Sequence, residues 1–178
     1  INVLDIKVAN LIAAGEVVER PAAAVKELVE NSIDAGAKNV TVELREGGIQ
    51  YLRVSDNGRG IPSDQIRMAF ERHATSKISE TKDLFDIHTL GFRGEALAAI
   101  SAVCELRIMS RQRDAEMGNL LQASQGNIVS MSETGCMVGT TVIVEELFAC
   151  VPARRKFMRR DATEAQAVIS IVEKLALA

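Results

Sequence analysis

The chain is poor in the residues that build metal centres and disulfide frameworks. Cys104, Cys136 and Cys150 are its only cysteines, and His73 and His88 its only histidines. They lie far apart and form neither a C-x-x-C pair nor an H-E-x-x-H motif, so no structural zinc site and no disulfide ladder are expected. The thiols read as reduced packing groups of an intracellular protein. No apolar run approaches the roughly 18 residues of a membrane span, and the first residues lack a charged-then-apolar signal pattern. A soluble, cytoplasmic protein without membrane contact is therefore expected. A positive surplus is also missing: the net charge is -3 and the pI about 5.5, so any nucleic-acid contact must be local. What is present is 178 residues with 47% hydrophobic content, enough to bury the core of one domain.

Periodicity outlines the elements. Val8 to Ala14 reads as a short helix closed by Gly15. A second helix starts with Pro21 in its first turn and continues through Val25, Leu28, Val29 and Ser32 to a stop at Ala35-Gly36. The period then changes to two. Val40, Val42 and Leu44 alternate with Thr41, Glu43 and Arg45, and after Gly47-Gly48 the pattern resumes from Ile49 to Val54, as a hairpin would. Ser63 to Arg72 reads as a helix with Ser63 as N-cap. The polar stretch from His73 to Gly94 is long for a loop in a compact domain, which marks it as a functional lid or a disordered segment. A helix is expected from Glu95 to Ser101. Strands are expected at 104–110, 120–124, 127–132 and 140–146, then a loop with Pro152 and an amphipathic helix from about Thr163. Helices concentrate early and strands late, linked by hairpins. This order favours an α/β two-layer sandwich of helices on a mixed, mostly antiparallel sheet.

Four stretches carry candidate chemistry. In Lys26–Gly36, at about 100° per residue, Glu27, Asn31 and Asp34 fall within roughly 60° of one another on one helical stripe. A solvated helix face presents the same pattern. Asp56-Asn57-Gly58-Arg59-Gly60 follows the end of an apolar strand, where a carboxylate can accept from an exocyclic amine and glycines admit a planar ligand; an ordinary turn has the same composition. Gly91 and Gly94 precede a helix start whose free N–H groups suit an anion. Gly139-Thr140 sets a glycine and a hydroxyl at the mouth of a strand.

The order of these stretches resembles the ATPase domain shared by gyrase, the heat-shock ninety chaperones, histidine kinases and the MutL mismatch-repair proteins. The phrases "IAAGEVVERP", "KELVENSIDAGA", "DNGRGI", "RHATSKI", "LGFRGEALAAIS", "VGTTV" and "PARRKF" are most similar to bacterial MutL, and they extend from about Val8 to Phe157. The resemblance implies a Bergerat-type fold of the GHKL group and Mg²⁺-dependent ATP hydrolysis. Asn31 would hold Mg²⁺ through its amide oxygen and Glu27 would be the general base, one turn earlier. Asp56 would accept from the adenine amino group, Thr140 would support that contact, and Gly60 would let the base lie close. Thr75, Ser76 and Lys77, with Gly91, Arg93, Gly94, Glu95, Ala96 and Leu97, would hold the phosphates and act as a lid.

The same resemblance implies closure of two N-terminal domains into a homodimer or heterodimer when ATP is bound, a mismatch-recognition partner of the MutS type, and a bacterial cytoplasm, at the nucleoid. The basic run Ala153-Arg154-Arg155-Lys156-Phe157 with Arg159-Arg160 reads either as a solvated charge run or as a weak, local DNA-phosphate contact. Cys150 stands where the MutL pattern usually has asparagine. Residues 1–178 are expected to be one ATP-binding domain and a fragment, without the second β-rich domain whose lysine reaches the γ-phosphate. A histidine kinase would share the ATP site but needs a phosphoacceptor histidine on a dimerisation helix, and neither His73 nor His88 offers one. A non-hydrolysing nucleotide switch differs at Glu27.

Overall fold

The computed structural model describes residues 5–71 and 95–177. In chain order the elements are α1 (Ile6–Val17), α2 (Pro21–Asp34), β1 (Val40–Arg45), β2 (Tyr51–Asp56), α3 (Ala96–Ala102), β3 (Glu105–Arg111), β4 (Gly118–Ser124), β5 (Asn127–Thr134), β6 (Gly139–Glu145), α4 (Pro152–Lys156) and α5 (Asp161–Ala176). The strands form one six-stranded sheet in the order β1-β2-β6-β3-β4-β5, and every pairing between them is antiparallel. The helices pack on one face of this sheet, which gives the expected two-layer sandwich. Among the described residues no helix is long and apolar enough to cross a membrane.

Strand alternation and register place the functional end of the sheet. Leu52, Val144, Leu106 and Ala123 stand side by side across β2, β6, β3 and β4, and Val54, Val142, Ile108 and Leu121 form the next row. All eight are buried against the helices. Burying one such aliphatic side chain is worth about 1.5–3 kcal/mol, so these two rows carry much of the fold. Two residues further along each strand the same face continues with Asp56, Thr140 and Ser110, of which Ser110 and Thr140 are direct partners in register. At this end the helix-facing side of the sheet turns from apolar to polar.

The helix α2 lies over that face. Arg20 precedes it in extended conformation and Pro21 occupies its first turn, where a missing N–H is harmless. Its buried side presents Ala22, Val25, Leu28, Val29 and also Ser32. The opposite face of the sheet is polar and paired, with Arg53–Glu43 at 3.3 Å and Arg107–Glu145 at 2.6 Å.

Three local expectations are corrected. Gly15 does not end α1, which runs through it to Val17. A side chain at Gly15 would meet the Arg154 guanidinium at 2.8 Å, so this glycine admits a neighbour rather than stopping a helix. The helix expected from Ser63 is reduced to turns and a single 3₁₀ turn at Met68–Phe70, because Ile66 alone is buried while Met68 stays exposed. Pro152, read as a loop marker, opens the short helix α4 at its first turn.

Candidate functional site

Asp56 ends β2 and is half-buried on the helix-facing side. Its Oδ1 accepts from the Gly58 N–H at 2.8 Å and the Thr140 N–H at 3.2 Å. Its Oδ2 accepts from the Ser32 hydroxyl of α2 at 3.0 Å. The carboxylate is thus held by three separate segments, the loop after β2, the start of β6 and the buried side of α2. Gly139, just before Thr140, has φ +113, and a Cβ there would run into the Asp56 carbonyl oxygen. Only glycine lets β6 approach this closely.

The loop that follows Asp56 is pinned on both sides. Towards α2, the Arg59 N–H donates to the Ala35 carbonyl at 3.0 Å, and the Asn57 side-chain oxygen accepts from the N–H groups of Lys38 and Asn39 at 2.8 Å each. Towards the sheet, the Ile61 N–H donates to the Ser110 hydroxyl at 2.8 Å. Ser110 donates in turn to the Gly139 carbonyl at 3.1 Å, so the 2.9 Å contact with Thr140 is a hydrogen bond donated by the Thr140 hydroxyl. The Thr140 oxygen keeps acceptor capacity beside Asp56. Gly60 has φ +73, and the space a Cβ would take is filled by the Arg111 backbone. Its nearest neighbour on that side is the protein itself.

Glu27 and Asn31 lie on α2 one turn apart, both half-buried, as is Asp34. The stripe is therefore at the margin of the core. Lys26 pairs with Glu30 at 2.8 Å and more loosely with Glu27 at 3.7 Å. The hydrogen bond to Glu30, aided by the charges of Glu30 and Glu27, raises the Lys26 pKa against a smaller opposing effect of burial. Among the described residues no group of three or more His, Cys, Asp or Glu side chains could hold a metal ion. Mg²⁺ needs no such group, since it takes few protein ligands and shares the rest between phosphate oxygens and water.

Glu95, Ala96 and Leu97 open α3, which packs against α1 and α2. Thr75, Ser76, Lys77, Gly91, Arg93 and Gly94 lie outside the described residues. The structure thus brings together Asp56 and Thr140, and ties both to α2 and to the Gly60 loop. Two members of this cluster were missed in the sequence, Ser32 and Ser110. Ser32 stands beside Asn31 within the helix motif, and the only signal for Ser110 was its place in the alternation of β3. The open groove of about 300 Å³ lined by Glu16, Val17, Glu19, Arg20 and neighbouring residues shares no side chain with the cluster.

The basic run is largely committed to the fold. Arg154 donates through Nη1 to the carbonyls of Gly15 at 2.6 Å and Val18 at 3.0 Å, and lies over the Phe148 ring at 5.8 Å. Arg155 pairs with Glu146 at 3.2 Å. Lys156, Arg159 and Arg160 remain exposed. Cys150 donates to the Ala102 carbonyl at 3.6 Å.

An acceptor at a strand end, locked between a helix bearing an acid and an amide and a glycine-threonine strand mouth, is the arrangement expected of the ATPase group. The family model described as histidine kinase-, DNA gyrase B-, and HSP90-like ATPase matches residues 19–136. The chain belongs to this ATPase family. Within it the similarity is to MutL. The DNA mismatch repair protein MutL of Caldanaerobacter subterraneus subsp. tengcongensis is 53% identical over 99% of this chain and 30% of its own length. That of Clostridium botulinum strain 657 is 48% identical over 100% of the chain and 27% of its own. The Aquifex aeolicus MutL ATPase domain complexed with ADP superimposes with a TM-score of 0.75 at 34% identity, covering 90% of this chain and 56% of that one. The chain thus spans less than a third of the length of the MutL proteins it matches.

Proposed function

We propose that the chain binds ATP with Mg²⁺ and hydrolyses it, as the nucleotide module of a MutL-type DNA mismatch-repair protein. The observation that carries this reading is Asp56, a half-buried carboxylate whose remaining acceptor capacity faces no partner among the described residues. Such a group selects a ring edge that donates, as the adenine amino group does, and repels a ring carbonyl at the same place. The relative bound to ADP has the same fold, which supports a nucleotide as the ligand.

Asn31 would hold Mg²⁺ by its amide oxygen, and the bound ion would neutralise the charge on the phosphates. Glu27, one turn before it, takes the proton of the attacking water. Thr75, Ser76 and Lys77 and the residues from Gly91 to Leu97 supply phosphate contacts. Ordering of that segment over ATP, closure of two such domains into a dimer and signalling to a MutS-type partner complete the proposed cycle. The exposed Lys156, Arg159 and Arg160 offer the local DNA contact.

Calorimetry with ADP, and with ATP and Mg²⁺, tests the reading. Asp56→Asn is expected to weaken binding at least about tenfold, since it replaces a charge-assisted acceptor. Glu27→Ala is expected to bind as the parent does while single-turnover hydrolysis falls about 10²–10⁴-fold. Unchanged hydrolysis in Glu27→Ala would remove that residue from the role of base, and undiminished ADP binding by Asp56→Asn would remove the adenine assignment.

A further inference from the structure

We infer that Ser32 is a positioning residue for nucleobase selection, aiming the Asp56 carboxylate so that one acceptor position is left for the base. The inference rests on the nucleotide reading above and deepens it. A carboxylate offers about four acceptor positions. Gly58 and Thr140 occupy both on Oδ1, and Ser32 occupies one on Oδ2. One position remains, on Oδ2, and it admits a single N–H donor.

The two sides of this arrangement differ in kind. The donors to Oδ1 are backbone groups, which no substitution short of proline removes, whereas the donor to Oδ2 is a side chain. Ser32 is 3% exposed, so water does not replace its hydroxyl. The hydroxyl has one proton and two acceptors in reach, Asp56 at 3.0 Å and the Leu28 carbonyl at 3.1 Å. The Leu28 carbonyl is available to any helical serine, so what sets Ser32 apart is the charged acceptor, which draws the stronger bond. Without that proton the Oδ2 edge has two open positions and the carboxylate is free to turn about its terminal torsion, which is broad and soft. Ser32 also adjoins Asn31 and follows Glu27 on the same helix, so one hydroxyl connects the reader of the base to the helix that serves the phosphates.

The role predicts a signature that a loss of packing does not. Ser32→Ala keeps helix propensity and removes only the hydroxyl. Its affinity is to be compared with that of the parent chain, by calorimetry, for ADP and for purine riboside 5′-diphosphate, which is ADP without the 6-amino group. The expected result is an ADP affinity lowered about tenfold, the scale of a hydrogen bond to a charged group, with the affinity for the des-amino analogue within about twofold of the parent value. Equal losses for both ligands would show a structural effect and overturn the inference, as would no loss for either. Should the parent chain bind neither ligand, the nucleotide reading itself falls before Ser32 is at issue.

Discussion

Ser110 is completely buried, and its hydroxyl answers the Ile61 N–H, the Gly139 carbonyl and the Thr140 hydroxyl together. Ser110→Ala leaves these groups facing one another without a partner. Each unsatisfied buried group costs about 1–3 kcal/mol, so the variant is expected to lose at least that much in urea unfolding. It is also expected to weaken ADP, because the Asp56 loop and the mouth of β6 lose their common anchor. Wild-type stability in Ser110→Ala would show that water or rearrangement satisfies those groups. Asp56 and Thr140 could be read from their motifs. Ser32 and Ser110 could not, since an isolated serine in a helix or strand carries no pattern of its own. Their importance arises only when register sets β3 beside β6 and α2 crosses above them.

Among the elements, the junction of α1 and α2 depends on a residue from far along the chain. The last carbonyls of a helix have no internal donors. Arg154 supplies one charged donor to both Gly15 and Val18, in the place the helix dipole favours for a cation. Since α2 starts only a few residues later, at Pro21, the same contact fixes where the helix of Glu27 and Asn31 begins. Arg154→Ala is expected to cost about 1.5–3 kcal/mol by loss of these charge-assisted bonds. Amide hydrogen exchange should accelerate first around residues 14–20, and Arg154→Lys should recover only part of the loss, because a lysine lacks the planar fork. Uniform acceleration across the sheet would contradict this local role. The strands and α5 were legible because their apolar residues recur with the period of the element. The extent of α1 was not, because the partner that makes Gly15 useful is Arg154, remote in sequence.

Among the described residues the molecule carries a dependence on alkaline pH through Cys104 and Cys150, whose thiols burial raises, and through Lys26. Cys104 is buried, and desolvation, with smaller contributions from Glu105 and Cys150, pushes its thiol pKa well above the ordinary 9.0. The native state therefore keeps a proton that the unfolded chain releases from about pH 9 upward. This contribution is complete below pH 9 and declines as pH rises, by up to about 1.4 kcal/mol per pH unit for one proton. Lys26, raised from its ordinary 10.5 by Glu30, adds a loss of the same sign at higher pH. Chemical denaturation midpoints are expected to be flat between pH 7 and 8.5 with respect to these groups and to fall from pH 9 to 11. Cys104 is expected to resist alkylation at pH 8 until the chain unfolds. Rapid modification of Cys104 in the folded protein would refute its burial.

The sequence by itself determined the layer architecture, since apolar periods of two and of about 3.6 dictate which segments bury one face. It also determined the family, since motifs such as "DNGRGI" and "GFRGEAL" are local strings that are recognised without coordinates. Only the tertiary structure decided which side chains meet. The antiparallel register carried Asp56, Thr140 and Ser110 onto one face at one end of the sheet, and the packing of α2 across it brought Ser32 to the carboxylate. Hydrogen bonds act over about 3 Å, so partners separated by long stretches of chain are chosen by packing and register and leave no mark on either residue's neighbours in sequence.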